Sequence, residues 1–208
     1  MRFSVIIPAH NSANYITKGL ESIRNQTFQD FELLVPCDSC TDNTQEIAES
    51  YGAKTCVVNF GQDGQTRNAG LDMAQGEYVL FMDDDDWWLH EFVLGQINKK
   101  LEDNHNPDLL CFSFIWKGIK YASPRSNGNT LYPSVWNKCW KRSYIGDTRF
   151  DDVYSISDYH FHLAMMKKPH TSIEWDMPMY YYNYLRPGSI SHEMGRSYAR
   201  TEEYWSKH

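Results

Sequence analysis

The feature that most constrains this chain is an alternation running through its first 116 residues, in which short apolar runs are separated by segments with helical periodicity. "RFSVIIP" reads as a strand that Pro8 helps to end. In "SANYITKGLESIRNQ", Ile16, Leu20 and Ile23 share one helical face, with Ser12 placed to cap the helix. "FELLVP" is a second strand, "NTQEIAESYG" a short helix closed by Gly52, and "KTCVVNF" a third strand. "QTRNAGLDMAQG" reads as a small-residue helix ending at Gly76 and "EYVLFM" as a fourth strand. "LHEFVLGQINKKLED" is another helix and "PDLLCFSFIW" another strand. This is the βαβ pattern, and it predicts an α/β fold with helices packed on a sheet.

From about Lys117 the pattern loosens. "KGIKYASPRSNGNTLYP" reads as a hairpin or an irregular loop, "DYHFHLAMMKK" as a helix, "EWDMPMYYYNYL" as extended and "YARTEEYWSK" as a terminal helix. No repeat and no Pro/Gly/Ser linker divides the chain. The expectation is one domain over residues 1–208 whose second half covers one side of the first. Apolar residues at 41% and aromatics at 15% exclude disorder, and a net charge of −7 argues against a nucleic-acid partner. No signal peptide and no membrane-length apolar run is visible, and five cysteines suit a reducing compartment, so a cytoplasmic location is expected.

The chemistry-bearing residues sit at strand ends. "PAHN" follows the first strand, "PCDSCTD" the second, and the four aspartates Asp83 to Asp86 the fourth. In an open α/β sheet, ligands bind outside the carboxyl ends of the strands, so three polar clusters there point to one crevice. Crowded carboxylates raise one another's pKa unless a cation intervenes. One or two carboxylates plus substrate phosphates are the usual setting for Mg²⁺. On an extended segment Asp83 and Asp85 would share one side, and Asp84 and Asp86 the other.

The stretches "FSVIIPAHNSANYITKGLESIRNQTFQDFELLV", "TDNTQEIA", "TRNAGLDMAQGEYVLFMDDDDWW" and "WNKCWKR" together resemble the family 2 glycosyltransferases with the GT-A fold. The resemblance covers roughly residues 2–190 and is strongest before residue 90. It implies a Rossmann-like mixed sheet flanked by helices, a nucleotide-binding half over 1–115 and an acceptor-binding, closing half over 116–208. It also implies an inverting transfer of one sugar from a nucleotide-diphosphate sugar, with a UDP-sugar as the first candidate, assisted by a divalent Mn²⁺ or Mg²⁺ ion. The acceptor would be a hydroxyl of a glycan or lipid-linked glycan in surface polysaccharide or glycoconjugate assembly. Peripheral attachment to the inner face of a membrane would suit such an acceptor.

Residue by residue, the resemblance lays Pro8, Ala9, His10 and Asn11 along the nucleoside and Asp38 against the base or ribose. Arg67 falls near the diphosphate, where a guanidinium donates paired hydrogen bonds. Asp83 and Asp84 fall near the ribose and sugar, Asp83 doubling as a metal ligand, while Asp85 is the principal metal-ligand candidate and Asp86 faces the acceptor. Asp158 matches the aspartate of a family "ED" motif and is the candidate base that takes the acceptor's proton. Asp151 and Asp152 are fallback bases. Arg186 and Ser189 are candidate substrate contacts, His192 a further metal candidate, and Lys138 a candidate phosphate contact. Trp87 and Trp88 pack in the core or line the acceptor side.

This chain departs from the family at Cys37, Ser39, Cys40 and Ser157. Cys37 and Cys40 form a lone Cys-x-x-Cys pair before a helix, which lacks the second pair of a structural zinc site. A nucleotidyltransferase would need a glycine-rich basic loop after the first strand, and "PAHNSANY" has none. An inactive binding module of the same fold is the other alternative. Oligomeric state is not legible in the sequence.

Overall fold

The computed structural model describes residues 1–116, 119–121, 125–126, 130–153 and 156–183. In chain order the elements are β1 (Phe3–Ile6), α1 (Ile16–Arg24), β2 (Phe31–Asp38), α2 (Thr44–Ser50), β3 (Lys54–Val58), α3 (Asp63–Met73), β4 (Tyr78–Phe81), β5 (Trp87–Trp88), α4 (Val93–Glu102) and β6 (Leu109–Trp116). There follow β7 (Ile119–Tyr121), β8 (Arg125–Ser126), β9 (Thr130–Leu131), β10 (Lys138–Lys141), α5 (Arg142–Ile145), α6 (Ser157–Met166) and β11 (Ser172–Tyr182).

Eight strands run in the order β3-β2-β1-β4-β10-β6-β11-β5, with β7 paired to β6; β8 and β9 form a separate ribbon. The strands β3, β2, β1 and β4 are mutually parallel, as βαβ crossovers require. β10 is antiparallel to both β4 and β6, and β11 runs parallel to β6, so the sheet is mixed. The sequence reading assigned "KCWK" no strand, yet it occupies the centre of the sheet. With a lysine at each end, it lacks the apolar run that marks β1 and β4.

The sheet has a core on each face. On one, Val5, Leu33 and Leu80 meet Ile16, Leu20 and Ile23 of α1 and Val93, Leu94 and Ile97 of α4. On the other, Ile6, Val79 and Phe81 meet Leu71 of α3, Ile145 of α5, and Phe161 and Met165 of α6. Alternation along β1 sends Val5 to one layer and Ile6 to the other. α3 and α6 approach closely: a Cβ on Gly64 would lie 2.8 Å from the Ser157 Cβ. Only glycine permits that spacing, and it brings Arg67, one turn on, against Asp158.

Three local expectations change. β2 runs on through Asp38, which is therefore a strand residue rather than part of a loop. α1 begins at Ile16 without a side-chain cap; the Ser12 carbonyl accepts the N–H groups of Tyr15 (2.8 Å) and Ile16 (3.0 Å), leaving its hydroxyl for another task. The four aspartates are not extended: the Asp86 N–H donates to the Asp83 carbonyl at 3.2 Å, closing a turn that ends the simple alternation of sides. The expected terminal helix lies outside the described residues, as do Arg186, Ser189 and His192.

Candidate active site

The carboxyl ends of β1, β2 and β4 and the N-terminal turns of α3 and α6 converge on one acidic centre. Its hub is Arg67, only 3% exposed. The guanidinium donates through Nη2 to Oδ1 of Asp83 at 2.7 Å and through Nη1 to Oδ2 of Asp63, and Nη1 lies 3.2 Å from Oδ1 of Asp158. The Phe150 ring packs 5.6 Å from the guanidinium carbon. Nε of Arg67 and Oδ1 of Asp158 are both buried without a hydrogen-bond partner. Asp158 is not a helix cap: it occupies the first turn of α6, and its Oδ2 accepts the Val135 N–H at 3.3 Å.

One cation among three carboxylates leaves the centre with excess negative charge. Burial pushes the Asp83 carboxyl up to about 8; Arg67 opposes this, while Asp158, Asp63 and Asp85 add repulsion. Asp158 is likewise raised by burial and by Asp63, against the pull of Arg67. Clustered, perturbed carboxyls at strand ends are a functional-site signature.

The rest of the acidic turn is divided between site and scaffold. Asp84 accepts the Ser12 hydroxyl through Oδ2, which ties the turn to the loop after β1. Asp85 is half-buried at the apex of the turn. Asp86 does not face an acceptor: it is fully buried, accepting the Tyr180 hydroxyl at 2.6 Å and the Asn183 N–H at 2.7 Å. Tyr180 in turn accepts the Asp83 N–H at 3.0 Å, so β11 anchors the turn at two points.

Asp38 is a different kind of carboxylate. Its Oδ1 accepts the Phe60 N–H (2.9 Å) and the Ser39 hydroxyl (2.9 Å), and its Oδ2 accepts the Gln62 N–H (3.2 Å) and the Thr66 hydroxyl (2.9 Å). Burial would raise its pKa, but the backbone N–H groups of Gly61 and Phe60, with Thr66 and Ser39, outweigh that and hold it below its ordinary value. Asp38 thereby fixes the start of α3. The Asp38 carbonyl meets Nδ1 of His10 at 2.6 Å, setting the orientation of an exposed ring on the first-strand loop. Asn11 adopts a positive φ of 48° and accepts the Thr41 N–H at 2.8 Å, while Ala9 bridges to Cys37 and directly follows Pro8. Residues 8–11 thus line up beside Asp38 at the strand ends.

Several candidates sit elsewhere. The Lys138 ammonium is buried and donates to the carbonyls of Tyr132 and Ser134 and to Oδ1 of Asn137, so it holds a loop together rather than offering three donors to a phosphate. Asp151 pairs with His160 on the surface, and Asp152 is exposed. Trp88 is core, and Trp87 is sandwiched between Tyr181, stacked at 4.1 Å, and the Lys18 ammonium, 3.2 Å from the ring centre. Burial raises the Cys37 thiol to about 12 and also raises that of Cys40, which leaves neither activated as a thiolate. Asp63, Ser12 and Tyr180 were missed as site residues. The one available signal was the i,i+4 spacing of Asp63 and Arg67, visible only if the helix is started two residues earlier.

Among the described residues no three Asp, Glu, His or Cys side chains form a ready-made cation cage. The donor set nevertheless fits a hard divalent cation shared with substrate phosphates. It is all carboxylate and short of positive charge, and Asp83 and Asp85 are the residues of the turn that would hold such an ion.

Comparison with known proteins agrees with this architecture. The model of "Glycosyl transferase family 2" matches residues 4–172. Poly(ribitol-phosphate) β-N-acetylglucosaminyltransferase TarS of Staphylococcus aureus is 30% identical over 99% of this chain and 39% of its own length. Its structure in complex with UDP-GlcNAc superposes with a TM-score of 0.79 over 92% of this chain and 61% of that one, at 28% identity. A GalNAc(5)-diNAcBac-PP-undecaprenol β-1,3-glucosyltransferase of Campylobacter jejuni is 34% identical over 74% of this chain and 56% of its own length. A mannosyltransferase of Pyrobaculum calidifontis solved with GDP-Man and Mn²⁺ shares the fold, with a TM-score of 0.72 at 18% identity over 94% of this chain and 60% of that one. The chain spans little more than a third of the whole TarS protein. On the family match and the shared GT-A fold, this chain belongs to glycosyl transferase family 2.

Proposed function

We propose that the chain transfers one sugar from a nucleotide-diphosphate sugar, with a UDP-sugar the first donor to test, to a hydroxyl of a surface glycan or lipid-linked glycan, inverting the anomeric centre. The observation that carries this reading is the buried Arg67 holding Asp83, at the end of β4, within reach of the same guanidinium as Asp158, at the start of α6. Residues 8–11 and the loops beside Asp38 would receive the nucleoside. Asp83 and Asp85 would hold a divalent cation, which when bound neutralises charge on the departing diphosphate. Asp158 takes the acceptor's proton as the acceptor oxygen bonds to the anomeric carbon. The bond from that carbon to the diphosphate breaks, and its electron pair leaves with the diphosphate.

The two halves of the domain would divide the labour, residues 1–115 binding donor and residues 116–208 shaping the acceptor side. Among the described residues no helix is long and apolar enough to cross a membrane, and a lipid-linked acceptor would be met by peripheral contact at the inner membrane face. Thermal unfolding with UDP, GDP, dTDP and CMP, each with and without Mn²⁺, tests the donor reading. Ligand at a hundred times its dissociation constant stabilises by about 2.7 kcal/mol. One nucleotide is expected to shift the transition only with metal, and Asp85→Ala to abolish the shift. No shift with any of them would favour an inactive module of the same fold.

A further inference from the structure

Asp63 has no part in the steps above, yet it competes for their central cation. It lies in the first turn of α3, four residues before Arg67, with its side chain 43% exposed. Its Oδ2 accepts a hydrogen bond from Nη1, the same nitrogen that stands 3.2 Å from Oδ1 of Asp158. That second approach is an ion pair and not a hydrogen bond, since Oδ1 of Asp158 is buried with no hydrogen-bond partner. Nη2 is committed to Asp83 at 2.7 Å. A guanidinium held among three carboxylates settles where their pulls balance, and here the balance leaves Asp158 without a bond on one oxygen.

We propose that Asp63 is a positioning residue for Asp158: it draws Nη1 of Arg67 toward the start of α3 and so keeps the guanidinium from hydrogen-bonding Asp158, whose side chain is 27% exposed and takes the proton of the attacking hydroxyl. Without Asp63, the guanidinium, already 3.2 Å from Oδ1 of Asp158, is free to turn an N–H onto that oxygen. A carboxylate that accepts a charge-assisted hydrogen bond is a weaker base. This inference rests on the reading of Asp158 as base, and the test separates the two.

The assay is hydrolysis of UDP-GlcNAc, UDP-glucose or GDP-mannose with Mn²⁺, using whichever the native chain cleaves fastest, with kcat and KM measured for Asp63→Ala, Asp63→Asn and Asp158→Asn. Asp63→Ala is expected to lower kcat about 10- to 100-fold, the worth of one hydrogen bond to a charged group, with KM for the donor unchanged within about twofold. Asp63→Asn retains an oxygen for Nη1 and is expected to recover kcat to within about threefold of native. Asp63→Ser, too short to reach Nη1, repeats the alanine result should that variant fold poorly. Native kcat in both Asp63→Ala and Asp63→Ser, a raised KM at native kcat, or no recovery with Asp63→Asn would overturn the role. If those variants are normal while Asp158→Asn is inactive, only this inference falls. If Asp158→Asn is as active as native, or the native chain cleaves none of the three donors, the base or donor reading falls and this inference with it.

Discussion

Two aspartates on the strands that flank β1, Asp38 at the end of β2 and Asp83 just past β4, have opposite fates. Asp38 is met by four donors, all neutral groups of the 39–66 segment, and its carboxyl is held below its ordinary pKa. Asp83 is met by one guanidinium that Asp63 and Asp158 share, and its carboxyl is pushed up to about 8. The difference lies in donor supply, since burial acts on both in the same direction. A carboxylate whose lone pairs the protein fills is structure. Carboxylates left with too few donors are a place for a cation, a proton or a substrate.

The largest expected effect that would sharpen this contrast is on rate. Asp158→Asn removes the proposed base and should reduce donor cleavage about 10²- to 10⁴-fold, read as nucleotide release. Next is Arg67→Met, which leaves three carboxylates with no buried cation. It should cost about 3–5 kcal/mol in urea unfolding at pH 8. The loss should be smaller at pH 5.5, where the raised carboxyls take up protons and no longer need Arg67. An equal loss at both pH values would break the argument that charge imbalance governs this centre.

The smallest effect belongs to Asp38→Asn, at about 1–3 kcal/mol of stability at pH 7. Because the folded pKa of Asp38 is lowered, its contribution is complete above the unfolded value and is lost as pH falls through the folded one. The gap between native and variant should therefore narrow in acid. A gap that widened there would mean that Asp38 is not the filled carboxylate described.

Much of this was legible beforehand. Strand and helix alternation placed β1 to β4 and their helices because short apolar runs mark the strands off from the mixed segments between them. Arg67, Asp83 and Asp158 fall on motif positions, and the structure brings the three together. What a linear motif does not carry is the third dimension of its own turn. The Asp86 N–H folds back on Asp83, and one aspartate of four turns inward to Tyr180, a residue 94 positions away. Lys138 and Trp88 carried functional-looking side chains, yet both are consumed by packing. Asp63 lay outside every motif, and its role depends on where α3 begins, which Asp38 decides through the N–H of Gln62.

The most direct test sets Asp158→Asn beside Asp38→Asn in two readouts, donor hydrolysis with Mn²⁺ and thermal unfolding without ligand. The account predicts that Asp158→Asn loses at least about 100-fold in rate while melting no lower than native, because it relieves a crowded negative charge. Asp38→Asn should melt lower. Asp158→Asn cleaving donor at the native rate, or melting well below Asp38→Asn, would contradict the division between a filled structural carboxylate and a poised catalytic one.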